Sequence, residues 1–148
     1  MERLFRPSVA IGRVPVHAML VPFPIVCFTG AMLTDIVYAR TAAMMWTNFS
    51  AWLLAFGMLT GVIAALFGML DFLLAGPVRP RIGWFHWIGS TTVLVLALFN
   101  NFVHARDGWT SVVPTGLTLS ILTVLALIVT GFLGHSIPYR HVAREVAP

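Results

Sequence analysis

The chemistry open to this chain rests on few side chains. His17, Asp35, Asp71, His86 and His104 are ionisable residues set inside long apolar stretches, and His135, Tyr139 and His141 follow near the end of the last one. On a helix, His17 and Asp35 are 18 residues apart, as are His86 and His104. That spacing is about five turns, so each pair shares a face, its members ~27 Å apart. Neutral imidazoles on facing helices are the usual axial ligands of a b-type haem. Mixed with carboxylates they suit Zn, Fe or Cu, and because both groups titrate they can also relay protons. No nucleophile elbow, H-E-x-x-H or phosphate loop is present, so hydrolytic chemistry has no support.

Of the 148 residues 59% are hydrophobic and only 9% charged, which excludes an ordinary soluble domain. Four apolar segments, about 16–38, 49–75, 82–104 and 112–137, are each long enough to span a bilayer as a helix. Short breaks at Arg40-Thr41-Ala42, Gly76 to Pro80 and Arg106-Asp107-Gly108 make successive helices antiparallel neighbours. The expected fold is therefore all-α: one polytopic membrane domain over 1–148, a four-transmembrane-helix antiparallel bundle with tails at 1–13 and 139–148. A cleaved leader over the first segment is disfavoured by Pro22, Pro24 and Asp35 within it.

All nine basic residues are arginines, dispersed at segment ends rather than gathered into a basic face, which argues against nucleic acid. Seven of them, Arg3, Arg6, Arg13, Arg79, Arg81, Arg140 and Arg144, fall on one side, against Arg40 and Arg106 on the other. The positive-inside rule then puts both termini in the cytoplasm, as expected for a bacterial inner-membrane protein. Cys27 is the only cysteine and reads as a small core residue, so no intrachain disulfide can form. Trp46, Trp84, Trp87 and Trp109 suit the aromatic belt at the headgroups.

Helices in lipid associate through small and polar residues, so those residues mark the inner faces. The seams are His17, Val21, Pro24, Phe28, Ala31, Asp35 on helix one; Gly57, Gly61, Ala64, Gly68, Asp71, Ala75 on helix two; His86, Ser90, Val93, Ala97, Asn100, His104 on helix three; and Gly116, Ser120, Thr123, Leu127, Thr130, Gly134 on helix four. With helices one and three parallel, His17, His86 and Asp71 converge at the cytoplasmic end, beside His135, Tyr139 and His141. Asp35 and His104 meet at the outer end, with Asn100, Asn101 and Trp109 near them. An apolar gap separates the two clusters and weakens a proton relay.

The leading expectation is a small redox protein in which His17 and His86 ligate the iron of haem b. Asp71 would act in their second shell, and Gly57, Gly61, Gly68, Gly89 and Ser90 would leave room for the macrocycle. Electrons would pass to quinone or to a partner protein. A second haem at His104 is not expected, because only Asp35 faces it and 18 residues exceeds the ligand spacing on one helix in respiratory cytochromes b. The alternatives are an accessory subunit of a larger membrane complex or homo-oligomer, packed through its small-residue seams, and a metal-ion or proton transporter.

Three stretches also resemble a known family: His17-Ala-Met-Leu-Val-Pro-Phe-Pro-Ile25, Ala64-Ala-Leu-Phe-Gly-Met-Leu-Asp-Phe72, and Gly131-Phe-Leu-Gly134 through Tyr139-Arg140-His141. They are similar to the small bacterial four-helix membrane proteins catalogued as domain of unknown function 2231, over about residues 14 to 141. The resemblance implies that His17, Asp71, His86, Tyr139 and His141 occupy the family's motif positions. Pro22 stands where the family commonly has a second histidine, so position 22 can supply no ligand here. Similarity of the family to haem-bearing four-helix proteins implies electron transfer by analogy alone.

Overall fold

The computed structural model describes residues 10–11, 14–74, 81–106 and 112–145, with 81–82 and 136–145 described by their backbone alone. Strands β1 (Ala10–Ile11) and β2 (Val14–Pro15) pair antiparallel just ahead of the first helix. The helices follow: α1 (Val16–Leu20), α2 (Pro22–Thr41), α3 (Met44–Leu74), α4 (Arg81–His104) and, after an irregular turn at Val112–Gly116, α5 (Leu117–Glu145). Among the described residues four spans are long and apolar enough to cross a membrane: Val16–Thr41, Met44–Leu74, Gly83–His104 and Val112–His135. The chain is thus an all-α four-helix membrane protein, and α2, α3, α4 and α5 close into a ring in which each packs on its neighbours.

The prolines of the first span act as their chemistry dictates. Pro22 and Pro24 lack N–H groups and fix φ, so they belong in a first turn. The helix nevertheless runs on through Val21, which keeps right-handed φ −53° and ψ −36° and whose N–H bonds the His17 carbonyl at 3.1 Å, so α1 and α2, with Pro22 at the head of α2, form one span.

Two boundaries depart from the expected segments. The second helix begins at Met44, not near residue 49, because the reversal needs only Ala42 and Ala43. Ala42 adopts left-handed φ 54° and ψ 18°, and its N–H caps the Tyr38 carbonyl at 2.8 Å. Glycine is the residue this cap prefers, an alanine there costing about 1 kcal/mol. Ala42→Gly is accordingly expected to stabilise the protein by up to about 1 kcal/mol, read as a raised thermal midpoint in detergent. A lowered midpoint would contradict the strained-cap reading. The last helix runs to Glu145, past the end expected near residue 137 and into the expected tail; Pro138 removes one donor without ending it.

The described residues of all four seams face inward, Ala75 lying outside them. Phe28, Ala31, Leu54, Val93 and Ala97 form the core, while Trp52, Phe56, Leu59, Val26 and Phe132 are exposed, as lipid-facing residues should be. Phe28 fits because of the glycine opposite: a Cβ on Gly57 would lie 2.7 Å from the Phe28 ring and 2.8 Å from Cys27 Cβ. Gly57→Ala is therefore expected to destabilise the bundle by about 1–3 kcal/mol through overpacking. Unfolding in mixed micelles would measure it, and an unchanged midpoint would contradict this packing.

Candidate functional site

His17 and His86 meet at one end of the bundle, with ring centroids 6.3 Å apart and planes at 85°. Each is anchored by the same device. His17 Nδ1 lies 2.8 Å from the Ala64 carbonyl on α3, and His86 Nδ1 lies 3.0 Å from the Thr130 carbonyl on α5. A carbonyl oxygen only accepts, so each Nδ1–H donates, and the lone pair of a neutral ring is left on Nε2. The Nε2 atoms have no hydrogen-bond partner among the described residues.

A glycine one turn beyond each anchoring carbonyl makes room for the ring. A Cβ on Gly68 would sit 2.8 Å from His17 Nδ1, and one on Gly134 would sit 2.8 Å from His86 Cε1. The two halves of the bundle thus repeat one arrangement: a histidine on one helix, then a carbonyl and, four residues on, a glycine on the next. His17 and His86 are 69 residues apart in sequence, as are Asp35 and His104. Gly134 and Thr130 were legible only as seam residues; the spacing shared with Ala64 and Gly68 is the signal that would have promoted them.

The other expected members of this cluster do not complete a ligand set. Asp71 is half-buried and His135 exposed, and among the described residues no three His, Cys, Asp or Glu side chains come together to hold a metal. The side chains of Tyr139 and His141 lie outside the described residues. Both histidines do line a cavity of about 90 Å³ with Pro24, Gly61, Val93 and Leu94, apolar apart from the imidazoles, Ser90 and Thr130.

The geometry bears on haem b in two ways. The donor pair suits an axial ligand set, since ligating histidines almost always donate their other N–H to a carbonyl or carboxylate. The surrounding space does not fit. The glycines expected to leave a slot are filled by protein: Gly57 by Phe28 and Cys27, Gly61 by Leu94, Gly68 by His17 and Gly89 by Thr130. The cavity beside the histidines falls well short of the ~300–1,000 Å³ that larger ligands occupy. Gly68 thus seats a histidine rather than a macrocycle.

At the opposite end, Asp35 and Asn100 have no exposed surface. His104 Nε2 lies 2.9 Å from Asp35 Oδ1, and its Nδ1 lies 3.0 Å from the Asn100 carbonyl. The Ser120 hydroxyl donates to Asp35 Oδ2 at 2.5 Å, and the Asn100 amide donates to Ser120 Oγ at 2.7 Å. The expected Asp35 and His104 pair is present, and Ser120 completes it. Asn101 instead turns back on its own helix, donating to the Ala97 carbonyl at 3.0 Å. Trp109 lies outside the described residues. The contrast between the ends is chemical: His104 faces an oxygen with each ring nitrogen, which makes it a fastening, whereas His17 and His86 each keep a nitrogen in reserve.

Fold and site together define a small four-helix membrane protein with an anchored histidine pair at one end. The chain belongs to the DUF2231 family, described as predicted membrane proteins, which matches residues 13–147 and is the family its motifs resemble. No curated protein and no solved structure matches it.

Proposed function

We propose that this protein is a small redox-linked protein of the bacterial cytoplasmic membrane, both termini cytoplasmic, whose working centre is a metal held between His17 and His86. One observation carries the reading: the two rings meet with Nδ1 of each engaged by a helix carbonyl and Nε2 of each left to a ligand. Partners for electron exchange would be a quinone or another membrane protein. The excess of arginine at the histidine end supports the orientation.

The competing readings draw less support from the geometry. The small-residue seams proposed to dock a larger complex are consumed in closing the bundle on itself. Transport through the bundle would have to cross the apolar core of Phe28, Ala31, Leu54, Val93 and Ala97, and among the described residues the buried polar side chains outside the Asp35 network are the hydroxyls of Thr47, Ser50, Thr123 and Thr130, which do not titrate.

The test is the metal content of protein purified from membranes in mild detergent. A near-stoichiometric metal whose spectrum changes on reduction is expected, lost in His17→Ala and in His86→Ala but kept in Asn101→Ala. Purified protein without metal, or metal indifferent to both histidines, would refute the reading.

A further inference from the structure

We infer that the ligand of the His17 and His86 pair is a bare monovalent soft cation, copper(I), bound by the two imidazoles alone; the inference rests on the metal-centre reading above and narrows it. The spacing suits such an ion. An imidazole nitrogen lies roughly 1.1 Å from its ring centre, so two metal–nitrogen bonds of about 2.0 Å in line put the centroids about 6.2 Å apart. The observed separation is 6.3 Å with the planes at 85°; a two-coordinate ion fixes the distance between two rings but not their twist, so this spacing admits it once both Nε2 atoms turn to a shared point.

That spacing alone would serve a haem iron equally well, and the space around the rings decides between them. Leu94 and Thr130 fill the places at Gly61 and Gly89, and the rings themselves fill those at Gly68 and Gly134. A single ion needs no slot, and the cavity of about 90 Å³ accommodates it without parting the helices.

Charge decides which ion. Two neutral imidazoles bring no anion, and among the described residues no third His, Cys, Asp or Glu joins them. The cost of burying an ion in an apolar surrounding grows as the square of its charge, so a divalent ion pays about four times what a monovalent one does. Zinc and iron(II) also ask for four or more ligands, which an apolar cavity does not offer. Copper(I) is content with two nitrogen donors in line, and copper is an ion that imidazole suits.

The experiment titrates the full-length protein in detergent, without oxygen, with copper(I) against the chromophoric chelator bicinchoninate. Parallel titrations use zinc(II) and haem b. About one copper(I) per chain is expected, held at least about tenfold more weakly by His17→Ala and by His86→Ala and unchanged by Asn101→Ala. Helical circular dichroism and elution volume report folding. Should an alanine variant fail to fold, His86→Gln keeps an amide to donate to the Thr130 carbonyl and serves in its place. Zinc(II) held as tightly as copper(I), through the same histidines, overturns copper(I) but leaves the metal centre standing. So does a Soret band from haem b that both substitutions abolish. If none of the three probes depends on His17 and His86, both the ion and the metal centre are refuted.

Discussion

Asp35→Ala is expected to be the most destabilising single substitution in the protein, costing about 3–5 kcal/mol, because it strips one member from a fully buried pair and leaves the other without compensation. The loss reaches three helices. Asp35 on α2 receives His104 from α4 and Ser120 from α5, and Ser120 in turn receives the Asn100 amide. Ser120→Ala removes a hydroxyl but leaves the Asp35 and His104 contact in place. Hydrogen bonds inside membranes average about 0.6 kcal/mol each, so losing the two that Ser120 makes should cost about 1 kcal/mol, well below the Asp35→Ala loss. Steric trapping or denaturant unfolding in bicelles would measure both. Equal losses would show that the pair has no special weight, and a negligible loss for Asp35→Ala would contradict the buried network outright.

The second large effect is expected at Gly68. Its missing side chain is the space in which the His17 ring sits, so a valine there must displace the imidazole from the Ala64 carbonyl that orients it. Disturbing the partners that orient a ligating histidine typically costs 10–100-fold in metal affinity. Gly68→Val should show at least that loss while the far end of the bundle stays intact. Gly134→Val should do the same through His86. Ala55→Val is the control, since Ala55 lies exposed on the same helix as Gly68 and does not line the histidine cavity. Metal affinity should be unchanged in that variant; a loss equal to that of Gly68→Val would mean that general crowding of the bundle, rather than the seat of the ring, controls binding.

Much of this was legible in the sequence because helices in lipid write their inner faces in small and polar residues. The seams through His17, Gly57, His86 and Gly116 turned inward as their spacing required, and the Asp35 and His104 pair followed from phase and direction alone. What the spacing could not convey is what fills each gap. A glycine on a seam reads as room for a ligand, yet Phe28, Leu94, Thr130 and the two histidines occupy those places. Whether a neighbour reaches across depends on its rotamer and on the helix crossing, neither of which a one-dimensional pattern contains. For the same reason the sequence could not tell a histidine with both nitrogens engaged, His104, from two that keep one available. Boundaries failed where local chemistry was subtle: a left-handed Ala42 shortened a connection that appeared to need more residues, and Pro138 was absorbed into a continuing helix.

The repeated carbonyl-and-glycine seat gives the histidine pair a physical meaning beyond proximity. Holding two imidazoles by Nδ1 while their rings press on glycines fixes both orientations before any ligand arrives, which lowers the ordering cost of binding. The core between the two ends then isolates the pair from the Asp35 network.

The most direct test of the central claim is X-ray absorption at the edge of whatever metal accompanies the protein purified from its own membranes. Two imidazole neighbours at about 2.0 Å are expected, with the outer-shell scattering of both rings, and one of them lost in His17→Ala or His86→Ala. A first shell without imidazole, or one unaltered by either substitution, would contradict it.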